Sequence, residues 1–202
     1  IIPNFPNQQD WTLATVLRTH AAQTPDAPCL LAPEEELELT YAQALDTAER
    51  IAGSMAAAGA ARGDRVAIMA MNSSALVLTW WATAVGGTVQ VPVNTNYEGE
   101  FLRHQLTVSD PRWAVIDDAF TERFLALDLP GDTNVDIEKF WVIDSGLADQ
   151  AIADLRAAGF QAARWEELRE TEPLNAPAPL PQDLGAIFFT SGTTGPSKGV
   201  AM

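Results

Sequence analysis

From Asp10 to Asp26 the chain reads DWTLATVLRTHAAQTPD, with apolar side chains recurring every three or four residues. That spacing predicts an amphipathic helix that stops at Pro25. Two short apolar runs follow, PCLLA and LELT, divided by the acidic PEEE. They read as two strands joined by a solvated turn. Thr40 then opens a second helix through YAQALDTAERIAGSMAAAG, with Gln43 three residues on to complete a capping box. It ends at Gly59, and a turn at Arg62–Asp64 announces the strand RVAIMA.

The alternation then repeats. NSSALVLTWWATAVGG is apolar almost all round, which predicts a helix buried on more than one side, Trp80 and Trp81 included. TVQVPVN, WAVID and KFWVID read as strands. YEGEFLRHQLTVSD, AFTERFLAL and GLADQAIADLRAAG read as the helices around them. Several strands are continuous apolar runs rather than alternating ones. The expectation is an α/β fold, a largely parallel sheet flanked by helices on both faces. TEPLNAPAPLPQD, about residues 171–182, is a Pro-rich surface connector leading to the last clear strand, LGAIFFT. That strand is expected to join the same sheet, making 1–202 one domain.

Composition removes several function classes. The 202 residues carry a net charge of −15, with only two lysines, Lys139 and Lys198. Such a surface repels nucleic acid and anionic lipid, so no nucleic-acid partner is expected. No apolar run reaches the ~18 residues of a membrane span. Cys29, the only cysteine, cannot form an internal disulfide and favours a reducing, cytoplasmic setting. On a strand among leucines it is expected to pack in the core. The only histidines are His20 and His104. Neither has a second ligand nearby, so no metal site is expected, and His104 is expected to pair with Glu100 four residues earlier.

The candidate chemistry lies in FFTSGTTGPSKGV, residues 188–200. Directly after a strand come hydroxyls, glycines and one lysine. Gly192 and Gly195 let backbone amides approach an anion without a Cβ in the way. Thr190, Ser191, Thr193 and Thr194 can donate hydroxyl hydrogen bonds to phosphate oxygens, and Lys198 adds a positive charge. A Walker A loop is excluded, because the position five after Gly192 is Ser197 and Lys198 is followed by Gly199.

FTSGTTGPSKGV resembles the phosphate loop of the adenylate-forming (AMP-binding) superfamily, which includes acyl-CoA synthetases, luciferases and peptide-synthetase adenylation domains. LTYAQALDTAERIAGSMAAAGAARGDRVAIMAMNSSALVLTWWATAVGGTVQVPVNTNY is similar to that superfamily's N-terminal region. NTNYEGEFLRHQL looks most like the carnitine-CoA-ligase-like branch of the acyl-CoA synthetases. The resemblance weakens over 118–182. Ser197 departs from it, standing where many members have a second proline.

The resemblance implies an N-terminal subdomain, the part of an AMP-binding large domain that ends just after the phosphate loop. It implies a ligase that joins a small carboxylic acid to ATP as acyl-AMP, then transfers the acyl group to coenzyme A, with Mg²⁺ accompanying the nucleotide. Thr190, Ser191, Gly192, Thr193, Thr194, Gly195 and Lys198 would hold the β- and γ-phosphates. The acyl pocket, the adenine contacts, a magnesium-binding glutamate and the catalytic lysine would follow downstream, so no catalytic residue is expected within 1–202. The missing C-terminal part is the first partner expected, and a homodimer is a further arrangement open to the whole protein. Two other readings stand beside this one: an adenylating enzyme loading a carrier protein, and a non-catalytic binding or scaffold protein of the same fold.

Overall fold

The computed structural model describes residues 7–127, 129, 135–190 and 197–202. They form two compact units, each gathered from three separate stretches of chain.

The first unit draws on residues 1–63, 72–88 and 168–184. Helix α1 (Leu13–Gln23) starts at Thr12, whose hydroxyl accepts from the Thr15 N–H at 3.2 Å. Strands β1 (Pro28–Ala32) and β2 (Leu37–Thr40) pair antiparallel, with PEE forming a 3₁₀ turn between them. The expected capping box is present at the start of α2 (Tyr41–Ala57). The Thr40 N–H donates to Gln43 Oε1 at 2.9 Å, and the Gln43 N–H to Thr40 Oγ1 at 3.4 Å. His20 of α1 stacks on Tyr41 with ring centroids 4.6 Å apart. Cys29 is half-buried on β1, and burial pushes its thiol pKa up.

Helix α3 (Ser74–Gly86) is buried or half-buried at every position but Trp80, so the expected burial on more than one side holds except there. Ser74, Ala75, Leu78, Thr79, Ala82, Thr83 and Val85 are buried, whereas Trp80 is 43% exposed and Trp81 half-buried. On its buried side α3 comes close to α2. A Cβ placed on Gly86 would lie 3.1 Å from the Cβ of Ala52 on α2, a gap that small residues fit and indoles do not. Glu35, at the tip of the β1–β2 turn, accepts from the Ser74 N–H at 2.8 Å and from the Ser74 hydroxyl, satisfying a free donor at the start of α3.

The Pro-rich connector is tied down along its length. The Leu174 N–H donates to the Glu49 carbonyl at 2.8 Å, and Arg50 donates to the Thr171 carbonyl at 2.9 Å. Arg62 reaches the Pro177 carbonyl at 3.0 Å and the Asp183 carboxylate at 2.9 Å. Gly53 makes this passage over α2 possible, since a Cβ there would sit 2.5 Å from the Glu172 carbonyl oxygen.

The second unit draws on residues 64–71, 89–167 and 185–202. Its centre is a five-stranded, wholly parallel sheet in the order β4 (Val89–Pro92), β3 (Arg65–Met69), β5 (Trp113–Asp117), β6 (Lys139–Ile143), β7 (Gln161–Arg164). The central strands are RVAIM, WAVID and KFWVI, and they bury both faces, as continuous apolar strands must. On one face Ala67, Met69, Ile116, Phe140 and Val142 pack with Leu102 and Leu106 of α4 (Gly99–Ser109). Phe124 of α5 (Thr121–Leu125) and Leu155 of α6 (Ala148–Ala157) complete that layer. Phe140 is the pivot, meeting Phe124 and Phe160 edge-on with centroids 5.5 and 5.0 Å apart. On the other face Trp113 and Trp141 lie 5.7 Å apart.

Candidate functional site

Parallel sheets gather chemistry beyond the carboxyl ends of their strands, where loops meet. The carboxylates that collect there are occupied with structure. Asp117 accepts from the Met71 N–H at 2.7 Å, and burial raises its pKa above the usual carboxylate value, the neighbouring Asp118 charge adding to the rise. Burial would raise Asp118 as well. There the Ser145 hydroxyl and the N–H groups of Leu147 (2.7 Å) and Ser145 (2.8 Å) win, and hold it below that value. Arg164 lowers the pKa of Asp144, and its guanidinium bridges Asp144 and Asp149 at 2.7 and 2.6 Å. Among the described residues no group of three His, Cys, Asp or Glu is placed to hold a metal ion.

The sequence-predicted anion loop is entered and left by a β-hairpin. Strand β8 (Ile187–Thr190) pairs antiparallel with β9 (Lys198–Ala201), Thr190 opposite Lys198 and Phe188 opposite Val200. Two of the seven candidate residues, Thr190 and Lys198, are thereby brought face to face, both exposed. Ser191, Gly192, Thr193, Thr194 and Gly195 lie outside the described residues. Alternate side chains of a strand share a face, so Thr190, Lys198, Phe188 and Val200 lie on one side of the hairpin. On the other, Gly199 gives room to its neighbours. A Cβ there would come within 3.1 Å of Ile187 Cγ2 and 3.5 Å of Phe189 Cζ.

The last predicted strand was expected to join the main sheet, and its ladder differs. Its entry runs parallel to β4 through one bridge, Gln90 with Ala186, and the Gln90 N–H donates to the Gly185 carbonyl at 3.1 Å. From Ile187 onward its partner is β9. Strand β9 had no counterpart in the sequence reading, because KGVA is short, exposed and holds a glycine.

Helix α4 flanks the hairpin and carries a contact that sequence reasoning missed. His104 does not pair with Glu100. Glu100 faces Arg103 at 3.6 Å, and the His104 ring Nε2 lies 2.8 Å from the carbonyl oxygen of Ser197, the residue before Lys198. The two residues are 93 positions apart, so no local pattern could signal it. The other lysine, Lys139, is placed over the Trp141 ring, 5.3 Å from its centroid.

A family described as AMP-binding enzyme matches residues 17–202. The medium-chain acyl-CoA ligase ACSF2 of Bos taurus mitochondria is 28% identical over 208 residues, covering 95% of this chain and 33% of that protein. The fatty acid–[acyl-carrier-protein] ligase ScoC of Streptomyces coeruleorubidus is 31% identical over 195 residues, with the same two shares. Among solved structures, the inhibitor-bound N-terminal domain of FACL13 from Mycobacterium tuberculosis superimposes with a TM-score of 0.74 at 27% identity. That match covers 95% of this chain and 44% of the other. The chain thus spans about a third of the length of these curated relatives.

Proposed function

Because the chain belongs to the AMP-binding enzyme family, we propose that it is the N-terminal part of an AMP-forming acyl-CoA ligase. A small carboxylic acid attacks the α-phosphorus of ATP, the bond to the bridging oxygen breaks, and pyrophosphate leaves as acyl-AMP forms. The thiol of coenzyme A then displaces AMP to give the thioester. The observation that carries this reading is the family match over 17–202 together with the acyl-CoA ligase relatives.

This chain contributes the nucleotide's phosphate grip. Thr190 and Lys198, facing one another across the hairpin, support that role: hydroxyl and ammonium groups both donate to phosphate oxygens. Ser191, Gly192, Thr193, Thr194 and Gly195 between them complete the proposed cradle. Magnesium bound to the nucleotide would neutralise part of its charge, beside the positive charge of Lys198. The groups that hold the acid and complete the chemistry belong to the remaining two-thirds of the protein. The lone cysteine of these 202 residues supports a reducing, cytoplasmic setting.

A second reading has its own observation. The ScoC relative is named for transfer to a carrier protein, so a carrier thiol is the alternative acceptor. One experiment separates them. Full-length protein is given ATP, a panel of carboxylic acids, and either coenzyme A or a phosphopantetheinylated carrier. Acid-dependent pyrophosphate release with thioester formation on coenzyme A supports the proposal. Transfer to the carrier alone favours the second reading. Absence of pyrophosphate release across the panel argues for a non-catalytic protein of this fold.

A further inference from the structure

The geometry points to His104 as a positioning residue for Lys198, acting through the carbonyl of Ser197. The inference rests on the reading of Lys198 as a phosphate-binding residue and says how that lysine is held in place.

The platform is firm. On α4, Leu102 and Leu106 are fully buried, and Gln105, 1% exposed, donates through Nε2 to the Pro92 carbonyl at 2.9 Å at the end of β4. Arg103 donates to the Leu127 carbonyl from the same turn of helix. His104, half-buried beside them, therefore projects from a helix fixed to the sheet by its neighbours. Its Nε2 lies 2.8 Å from the Ser197 oxygen. A carbonyl can only accept, so Nε2 must carry a hydrogen. The neutral Nε2–H tautomer and the imidazolium both satisfy this. While the bond stands, that nitrogen is a donor and not a base.

The Ser197 carbonyl shares a rigid peptide plane with the Lys198 N–H. Fixing the direction of one fixes the other. Across the hairpin Lys198 is in register with Thr190. The Lys198 backbone is thus held from two directions, by its own strand pairing and by a side chain from α4. Lysine has a flexible four-carbon stem, and what the protein can set is where the stem begins. Small misplacements of a charge meeting a reacting group are costly, so a donor that settles the stem's origin affects rate without touching substrate.

The test uses full-length protein in which His104 is changed to Gln, Asn or Phe. Glutamine places an amide N–H near the position of Nε2. Asparagine, one carbon shorter, does not reach, and phenylalanine keeps the ring without a donor. Each is measured for its MgATP dissociation constant, its adenylation rate, and its thioester formation from pre-made acyl-AMP. His104→Phe and His104→Asn are expected to weaken MgATP binding or adenylation by roughly three- to tenfold, the worth of one hydrogen bond, with thioester formation unchanged. His104→Gln should recover most of the loss. In a Lys198→Ala background, His104→Phe should add little.

Equal loss for Gln, Asn and Phe would overturn the proposal, as would an undiminished His104→Phe effect in the Lys198→Ala protein or no effect at all. If Lys198→Ala itself leaves adenylation intact, the phosphate reading of that lysine fails, and the positioning role falls with it. If only the His104 arm is silent, the phosphate reading survives and the positioning role alone is lost.

Discussion

Asp117 and Asp118 are consecutive and both buried, at 7% and 5% exposure, yet their carboxyl pKa values move in opposite directions. Asp117 has one backbone donor against its burial, the Met71 N–H. Asp118 has a hydroxyl and two amides from the loop that starts α6. Burial dominates at Asp117, where the Asp118 charge adds to it, whereas at Asp118 the larger set of donors outweighs burial.

Opposite signs give opposite pH dependences. Asp118, lowered in the folded state, contributes stability above its unfolded pKa of about 3.9, lost as pH falls through the folded value. Asp118→Asn should cost about 2 kcal/mol at pH 7 and progressively less as pH falls below about 3.9. Asp117, raised in the folded state, contributes stability only at low pH, lost as pH rises through its folded value. Asp117→Asn keeps an oxygen for the Met71 N–H, and should be neutral or stabilising by on the order of 1 kcal/mol at pH 7. Urea denaturation across this pH range measures this. A loss at pH 7 from Asp117→Asn as large as that from Asp118→Asn would contradict the assignment.

Gly53→Ala should loosen the connector. The new methyl would lie 2.5 Å from the Glu172 carbonyl, so the strap must lift from α2. Overpacking of this kind costs roughly 1–3 kcal/mol. A melting curve gives the stability, and limited proteolysis within 171–183 should quicken. Unchanged cleavage there would mean the backbone absorbs the methyl elsewhere.

Lys198→Ala in the full-length protein should slow adenylation by about a hundredfold or less, the low end for losing one charge-stabilising donor. Thioester formation from pre-made acyl-AMP should hardly change, because that half-reaction contains no β- or γ-phosphate. Single-turnover measurement of each half-reaction checks this. Equal slowing of both would point to a folding role for the hairpin instead.

Residues 1–202 by themselves should make no acyl-adenylate. The chain spans about a third of its curated relatives. Acid-dependent exchange of pyrophosphate into ATP by the purified chain would refute this.

Legibility in the sequence followed the range of the forces involved. RVAIM, WAVID and KFWVI announced a parallel sheet because burial on both faces leaves continuous apolar runs. The Thr40–Gln43 capping box was readable because both partners lie within one turn. Strand β7 was not, since QAAR is four residues with two alanines and takes its place only by pairing with β6. The bond from His104 to Ser197 was hidden for a related reason, since its partner lies 93 residues away.

The order in which the first unit receives its pieces has a consequence for synthesis. Its helices α1 and α2 are made before the rest of the unit, but its final stretch, 168–184, emerges only after the whole of 89–167. Until then Glu49, Arg50 and Ser54 lack the partners that Thr171 and Leu174 bring. On a ribosome adding about 5–20 residues per second, α2 therefore waits several seconds with its strap-binding side open. A pause or a premature stop before residue 168 would release a chain whose early helices are made but unfinished. Such a product is one for chaperones to hold or proteases to clear.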